Sequence, residues 1–438
     1  MQNYFKRPCF ERRCDANVLS RTSQLFALLM LFAAARSAVA QPAQQLPWDM
    51  EQLRQAPEVV WIDQASSVSS LLYVGEPYEG KPSQVFAYYA SPSTLALASK
   101  AAAEKPQEKY PAMVLIHGGG GTAFREWAEL WAKRGYAAIA MDLAGCRPNE
   151  GTNPHEAKNR TRLDGGGPGQ GDDEKFGSID KPPSEQWPYH AVANAVLAHS
   201  LIRSFDEVDA ERTAVTGISW GGYLTCIVAG VDSRFKAAVP VYGCGFLNEN
   251  SAWLPRFANM TEQQRQRWVE LWDPSQYLPS VTMPILFING TNDFAYPLDS
   301  YMKSFDAVPT KEGTNKQLCV TVNMPHGHPQ GWAPQEIGLF VDQTVKHGRP
   351  LPQVGTPQLV DGEVRVPLLG SNAVVSAKLH TTQQTGEINQ REWTSTMATV
   401  DGDHVTAKAP PANTTAWFVT VQDDRDAVVS TRIEFAQP

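Results

Sequence analysis

At 438 residues the chain is longer than one hydrophobic core usually supports, and 42% hydrophobic with 19% charged residues is the make-up of a soluble globular protein. A formal charge of −8 leaves no basic excess to neutralise phosphates, which excludes the usual nucleic-acid binder. With 32 Gly and 32 Pro, a loop-rich fold is expected in place of a helical bundle.

The N-terminus reads as an export signal. Lys6, Arg7, Arg12, Arg13 and Arg21 make a positive segment, residues 25–35 are apolar and uncharged, and Ala38-Val39-Ala40 is a small-x-small cleavage pattern. Eleven apolar residues fall short of the roughly 20 that span a bilayer, so the segment is a cleaved leader and not an anchor. Cleavage after Ala40 predicts a secreted or periplasmic protein with no membrane span in the mature chain. Cys9 and Cys14 leave with the leader. Cys146, Cys226, Cys244 and Cys319 remain without a CxxC pair, which is no zinc framework, and their pairing stays open.

Residues 41–80 are polar and Pro-punctuated, with a strand-like run at 71–74, and a second run lies at 85–89. Residues 96–109 read as a surface connection. Then come an apolar strand at 113–116, His117 with four glycines, a helix at 123–134 stopped by Gly135, and a strand at 137–141. Such alternation predicts parallel βαβ units with both sheet faces covered. A polar insertion covers 146–186. Its Gly-rich stretch 164–171 lacks the preceding strand and following helix of a phosphate loop, and reads as a loop beside the site. A helix at 189–205, strands at 213–218 and 237–241, and a helix at 223–229 continue the pattern. Residues 245–280, with Trp253, Trp268 and Trp272, read as cap or lid material whose indoles either stack on sugar rings or pack a core. Strands at 285–288 and 319–322 and a helix at 337–345 complete a catalytic domain over 41–350. From 355 to 438, short β-branched runs between turns predict a small β-sandwich-like domain.

Gly217-Ile-Ser-Trp-Gly-Gly222 lies between a strand and a helix. A serine hydroxyl is a poor nucleophile until presented on a sharp turn beside a base, and glycines remove the side chains that would collide there. Ser219 is therefore the candidate nucleophile. Asp293 follows a later buried strand and is placed to hold an imidazole tautomer. The base lies in Pro325-His326-Gly-His328 after the last strand. Spacing leaves both histidines open, with a small residue after His326 tilting the choice towards it. A His-x-His metal pair lacks a third ligand in the motif, so no metal is expected. After the strand at 113–116, the N–H groups around Gly118 and Gly119, with that of Trp220, are the expected oxyanion donors, and His117 braces their loop.

With HGGGG, GISWGG, NGTND and PHGH in place, residues 110–348 resemble the α/β-hydrolase superfamily, in its prolyl oligopeptidase, dienelactone hydrolase and acetyl xylan esterase-like branch. The resemblance implies an α/β fold, with a mostly parallel sheet flanked by helices, and hydrolysis of an ester or amide through an acyl-serine without a cofactor. Fewer than 80 residues lie between the leader and that core, too few for the β-propeller of the prolyl peptidases. The main expectation is thus an exported carboxylic-ester hydrolase acting on a small-molecule or glycan ester. The alternatives are a dipeptidyl-peptidase-like enzyme, with Asp172, Asp173 or Glu174 anchoring a peptide amine, and a non-catalytic binding protein on the same scaffold.

Overall fold

The computed structural model describes residues 46–98, 108–310, 315–370 and 373–436. The predicted leader, 1–40, lies outside them. Among the described residues no helix is long and apolar enough to cross a membrane.

After a one-turn helix, Met50–Leu53 (α1), the chain forms an antiparallel meander of Val59–Asp63 (β1), Ser69–Tyr78 (β2) and Lys81–Ala90 (β3). The runs expected at 71–74 and 85–89 lie within β2 and β3, where Leu71, Tyr73, Val85, Phe86, Ala87 and Tyr89 are buried and Val74 is exposed. The first strand escapes the sequence because its buried positions are only partly covered. Helix Pro92–Ala98 (α2) leads towards the core.

Six parallel strands form the centre, namely Tyr110–Ile116 (β4), Ala137–Met141 (β5), Val208–Ile218 (β8), Ala237–Val241 (β9), Ile285–Gly290 (β10) and Lys316–Thr321 (β11). A hairpin of Cys146–Pro148 (β6) and Arg160–Arg162 (β7) sits apart in the 146–186 insertion. The order across the sheet is β1-β2-β3-β5-β4-β8-β9-β10-β11, and only the pairings of the first three strands and of β3 with β5 are antiparallel. Every residue of β5, β9 and β10 is buried, as a parallel sheet covered on both faces requires.

The covering helices follow from their patterns. Arg125–Lys133 (α3) turns Trp127, Ala128, Trp131 and Ala132 inward, one apolar stripe. Trp187–Arg203 (α4) is buried from Trp187 to Ile202, so its polar residues need internal partners. His199 bridges Asp232 and Thr213, at 2.8 Å each, and the Ser200 hydroxyl donates to the Leu53 carbonyl at 2.7 Å. Trp220–Val231 (α5) leaves the β8 turn. Leu254–Ala258 (α6) and Glu262–Trp272 (α7) occupy the segment expected to be a cap, and Leu298–Ala307 (α8), His328–Trp332 (α9) and Gln335–Val345 (α10) complete the set. Trp268 and Trp272 are fully buried, with their indole N–H groups donating to Lys175 O and Gln186 Oε1. Neither has a face free for a sugar ring, so packing is their role. Trp253 alone of the three is half-exposed.

The pattern break near 350 is not a break in the sheet. The described residues form one compact unit, and Val428–Ser430 runs antiparallel to β11 through Leu318 and Ser430, whose hydroxyl accepts the Val320 N–H at 2.6 Å. From there the sheet passes through Ala416–Asp423 and Val374–Thr382 to Thr394–Asp401. The last strand then pairs away with His404–Lys408 and, through it, Glu363–Leu369. The four cysteines among the described residues, Cys146, Cys226, Cys244 and Cys319, are free thiols, three of them buried.

Candidate active site

The turn from β8 into α5 is tight because two backbones nearly touch. A Cβ on Gly221 would lie 1.9 Å from the Ile116 carbonyl oxygen, and one on Gly217 would lie 2.1 Å from that of Gly221. Ser219 sits between them at φ 60°, ψ −118°, a conformation that costs a non-glycine residue on the order of 1–3 kcal/mol. It is pinned by hydrogen bonds from its N–H to Val241 O (2.8 Å) and from Tyr223 N–H to its own carbonyl (2.9 Å). The strain lifts the hydroxyl out of the turn.

That hydroxyl lies 2.9 Å from His326 Nε2, and His326 Nδ1 lies 2.7 Å from Asp293 Oδ2. The carboxylate is buried behind the imidazole, with 1% of its side chain exposed against 15% for His326. Its other oxygen accepts the N–H groups of Ala295 (2.9 Å) and Tyr296 (2.8 Å), which fixes its plane. The imidazole is held between rings, stacked on Tyr242 with centroids 4.4 Å apart and flanked by the exposed Phe294 at 5.0 Å. With Nδ1–H donated to Asp293, Nε2 carries the lone pair that takes the serine proton. Ser219, His326 and Asp293 are thus brought together, and the choice left open by spacing is made by geometry.

His328 is placed differently. It opens α9, and its Nε2 accepts the Gly118 N–H at 3.0 Å. Burial, reinforced by the neighbouring His117, His155 and Arg160, lowers its pKa to about 3, so it is a neutral acceptor at any working pH. This corrects one expectation, since the Gly118 amide is occupied and does not point a free donor at the substrate. Gly119 and Trp220 keep theirs. Among the described residues neither N–H donates to another protein group. Gly119 lies against the Trp220 indole, where a Cβ would come within 2.8 Å of Cδ1. The indole is itself walled by Trp253, Tyr223 and Trp187, and the buried Lys175 ammonium stands 4.8 Å over its ring.

His117 braces the loop as expected. Its Nδ1–H donates to Gly118 O (2.8 Å) and its Nε2 accepts the Leu143 N–H (2.9 Å). Burial lowers its pKa to about 3, which keeps that pattern intact. Arg160 adds a further clamp by donating to Gly120 O. Of the three acidic residues considered for a peptide amine, Asp172 is already paired with Arg256 at 2.7 Å. Among the described residues no group of three or more His, Cys, Asp or Glu side chains is arranged to hold a metal.

Sequence reasoning missed Tyr242 and Tyr296. Both are single aromatic residues in loops, and nothing in their spacing separates them from core residues.

Comparison with known proteins places the chain among serine hydrolases of the α/β-hydrolase superfamily. Residues 181–337 match the model of the prolyl oligopeptidase family. The chain is 28% identical over 244 residues to the uncharacterized peptidase YuxL of Bacillus subtilis, covering 50% of this chain and 32% of that protein. It is 25% identical over 207 residues to the acetyl esterase Axe7A of Xylanibacter ruminicola, covering 44% and 45%. The chain therefore spans less than half the length of these relatives. Among solved structures, the acetyl xylan esterase from Paenibacillus sp. R4 superposes with a TM-score of 0.51 at 18% identity, covering 67% of this chain and 92% of that one. The α/β-hydrolase fold follows from that likeness.

Proposed function

We propose that this chain, a serine hydrolase of the α/β-hydrolase superfamily, cleaves carboxylic esters on acylated carbohydrate after export and removal of residues 1–40. The observation that carries the chemistry is the unbroken chain Ser219–His326–Asp293, with heavy-atom separations of 2.9 and 2.7 Å. His326 takes the proton as Ser219 attacks the acyl carbon, and Asp293 steadies the imidazolium. The N–H groups of Gly119 and Trp220 receive the developing oxyanion, where one such donor contributes on the order of 3 kcal/mol. His326 then passes its proton to the leaving alkoxide, activates a water and closes the cycle by releasing the acid.

We read the substrate as an ester and not a peptide, and of the three acids considered for a peptide amine Asp172 is already held by Arg256. Similarity to an acetyl esterase supports the same choice. For the alcohol half, a groove of about 770 Å³ is lined by Phe86, Tyr88, Arg125, Glu126, Arg147 and Asn149. None of the catalytic residues lines it, but its walls include the start of α3 and the chain after β5, which leave the same strand ends as the Gly118–Gly119 loop. Aromatic faces beside charged hydrogen-bonding groups suit a sugar.

The test is a comparison of acetylated oligosaccharide, nitrophenyl acetate and a dipeptidyl amide with the purified chain. The esters should be cleaved and the amide left intact, and Ser219→Ala should be inactive. Ester hydrolysis that persists in Ser219→Ala removes the proposal. N-terminal sequencing of protein recovered from an exporting host should begin at Gln41.

A further inference from the structure

Lys175 lies in the 146–186 insertion and carries a charge that no neighbour pairs with. Its backbone is fixed by its N–H on Gly171 O (3.1 Å), by the Trp268 indole donating to its carbonyl (2.9 Å), and by Phe176 stacked on Trp268 at 5.2 Å. The residue is only 6% exposed, yet among the described residues its ammonium donates to no oxygen and joins no ion pair. Of the acids on its own segment, Asp172 is held by Arg256 of α6, and Glu174 lies against Gly169 and Gly171. From α4 and α5 it meets the rings of Trp187 and Trp220, with centroids 5.6 and 4.8 Å from Nζ. Two ring faces return less than an ammonium loses on leaving water. A buried charge kept without a partner belongs where charge is to be met.

Beyond the Trp220 ring is the loop that carries the other oxyanion donor. Gly119 is packed on the indole, and His117, which braces that loop, feels the charge of Lys175 alongside that of Arg160. We infer that Lys175 is a positioning residue of the oxyanion hole: its ammonium, set against the Trp220 indole, places a fixed positive charge behind the N–H groups of Gly119 and Trp220. An ester carbonyl in the ground state carries little charge for it to meet. As Ser219 attacks, that oxygen becomes an anion where little water screens it, so the stabilisation arises in the transition state. The inference rests on the reading of Ser219 as nucleophile with these two donors, and not on the alcohol half of the substrate.

Burial lowers the Lys175 pKa to about 8, so its charge is present below that value and lost above it. Wild-type kcat on nitrophenyl acetate, corrected for spontaneous hydrolysis, should therefore fall between pH 7 and pH 9.5. Lys175→Met keeps the length of the side chain and removes the unpaired charge, so its Tm should equal or exceed that of wild type. At pH 7 it should lower kcat and kcat/KM alike by about tenfold or more, and its profile should lack the alkaline fall. Lys175→Arg, charged throughout, should be faster than Lys175→Met and hold its rate to pH 9.5. A lysine that only packs gives the reverse, a lowered Tm with rates within twofold of wild type, and that result overturns the inference. A Lys175→Met profile that keeps the alkaline fall overturns it as well. Where Lys175→Met does not fold, the wild-type and Lys175→Arg profiles decide, and identical profiles overturn it. If wild type cleaves no ester, the ester reading fails instead. Labelling of Ser219 by a fluorophosphonate, which also builds charge on an oxygen, then reads the same dependence without turnover, and a rate unchanged from pH 7 to pH 9.5 overturns the inference.

Discussion

Asp293→Asn exchanges one oxygen for an NH2 group at a site that needs two acceptors. Asp293 receives His326 Nδ1–H on Oδ2, and the N–H groups of Ala295 and Tyr296 on Oδ1. If the amide oxygen stays on the two backbone groups, the NH2 faces Nδ1, which must then accept. The imidazole proton moves to Nε2 and faces Ser219, where a lone pair is required. If the oxygen turns to His326 instead, the NH2 is set against two N–H groups in a position only 2% exposed. Unmet donors there cost about 1–3 kcal/mol each, so the first arrangement prevails and the enzyme holds the wrong tautomer. In Ser-His-Asp proteases that error lowers kcat by about 10⁴, which is about 5.5 kcal/mol of barrier. The assay is kcat on nitrophenyl acetate near pH 8, with circular dichroism to establish that the fold persists. A folded variant that loses less than about tenfold would show that Asp293 does not orient the base.

His326→Ala should remove turnover, whereas His328→Ala should lower kcat by about 10- to 100-fold through a displaced Gly118–Gly119 loop; equal losses from both would contradict the separate roles assigned here. Gly221→Ala forces a Cβ to within 1.9 Å of the Ile116 oxygen and should cost about 3 kcal/mol or more, read as a lowered Tm; a wild-type Tm counts against the described turn. His117 is depressed to about pKa 3 when folded but titrates near 6.5 when unfolded, so the unfolded chain binds the extra proton between those values. Stability should therefore fall as pH drops through that window, by about 2 kcal/mol at pH 5 from this residue alone. Chemical denaturation at pH 7.5 and pH 5 measures it, and an unchanged unfolding free energy refutes it.

The parts of the site that were legible in the sequence are those built from contiguous residues. GISWGG at the end of an apolar strand specifies its own backbone, and NGTND and HGGGG each follow a strand whose run can be read directly. The histidines are two residues apart, and what separates them is tertiary. His328 begins a helix that turns its ring towards Gly118, while His326 stays in the extended stretch before it. The same holds for the oxyanion donors, because only the position of His328 reveals that Gly118 is engaged. Trp268 and Trp272 looked equally suited to a lid or a core, and burial beneath the 173–187 segment, a long-range contact, decides for the core. The strand ladder between β11 and the C-terminal strands is a single residue pair, backed by the Ser430 hydroxyl on the Val320 N–H, too little for any sequence pattern to carry.

That link has a consequence for handling the protein. Without the C-terminal strands, β11 would be the outer strand of a parallel sheet, with its backbone N–H and C=O groups bare and Leu318, Cys319 and Val320 behind them. Bare strands of this kind template pairing between molecules. A version trimmed after residue 352, with every catalytic group retained, should therefore self-associate, and the tail acts as a built-in guard against aggregation.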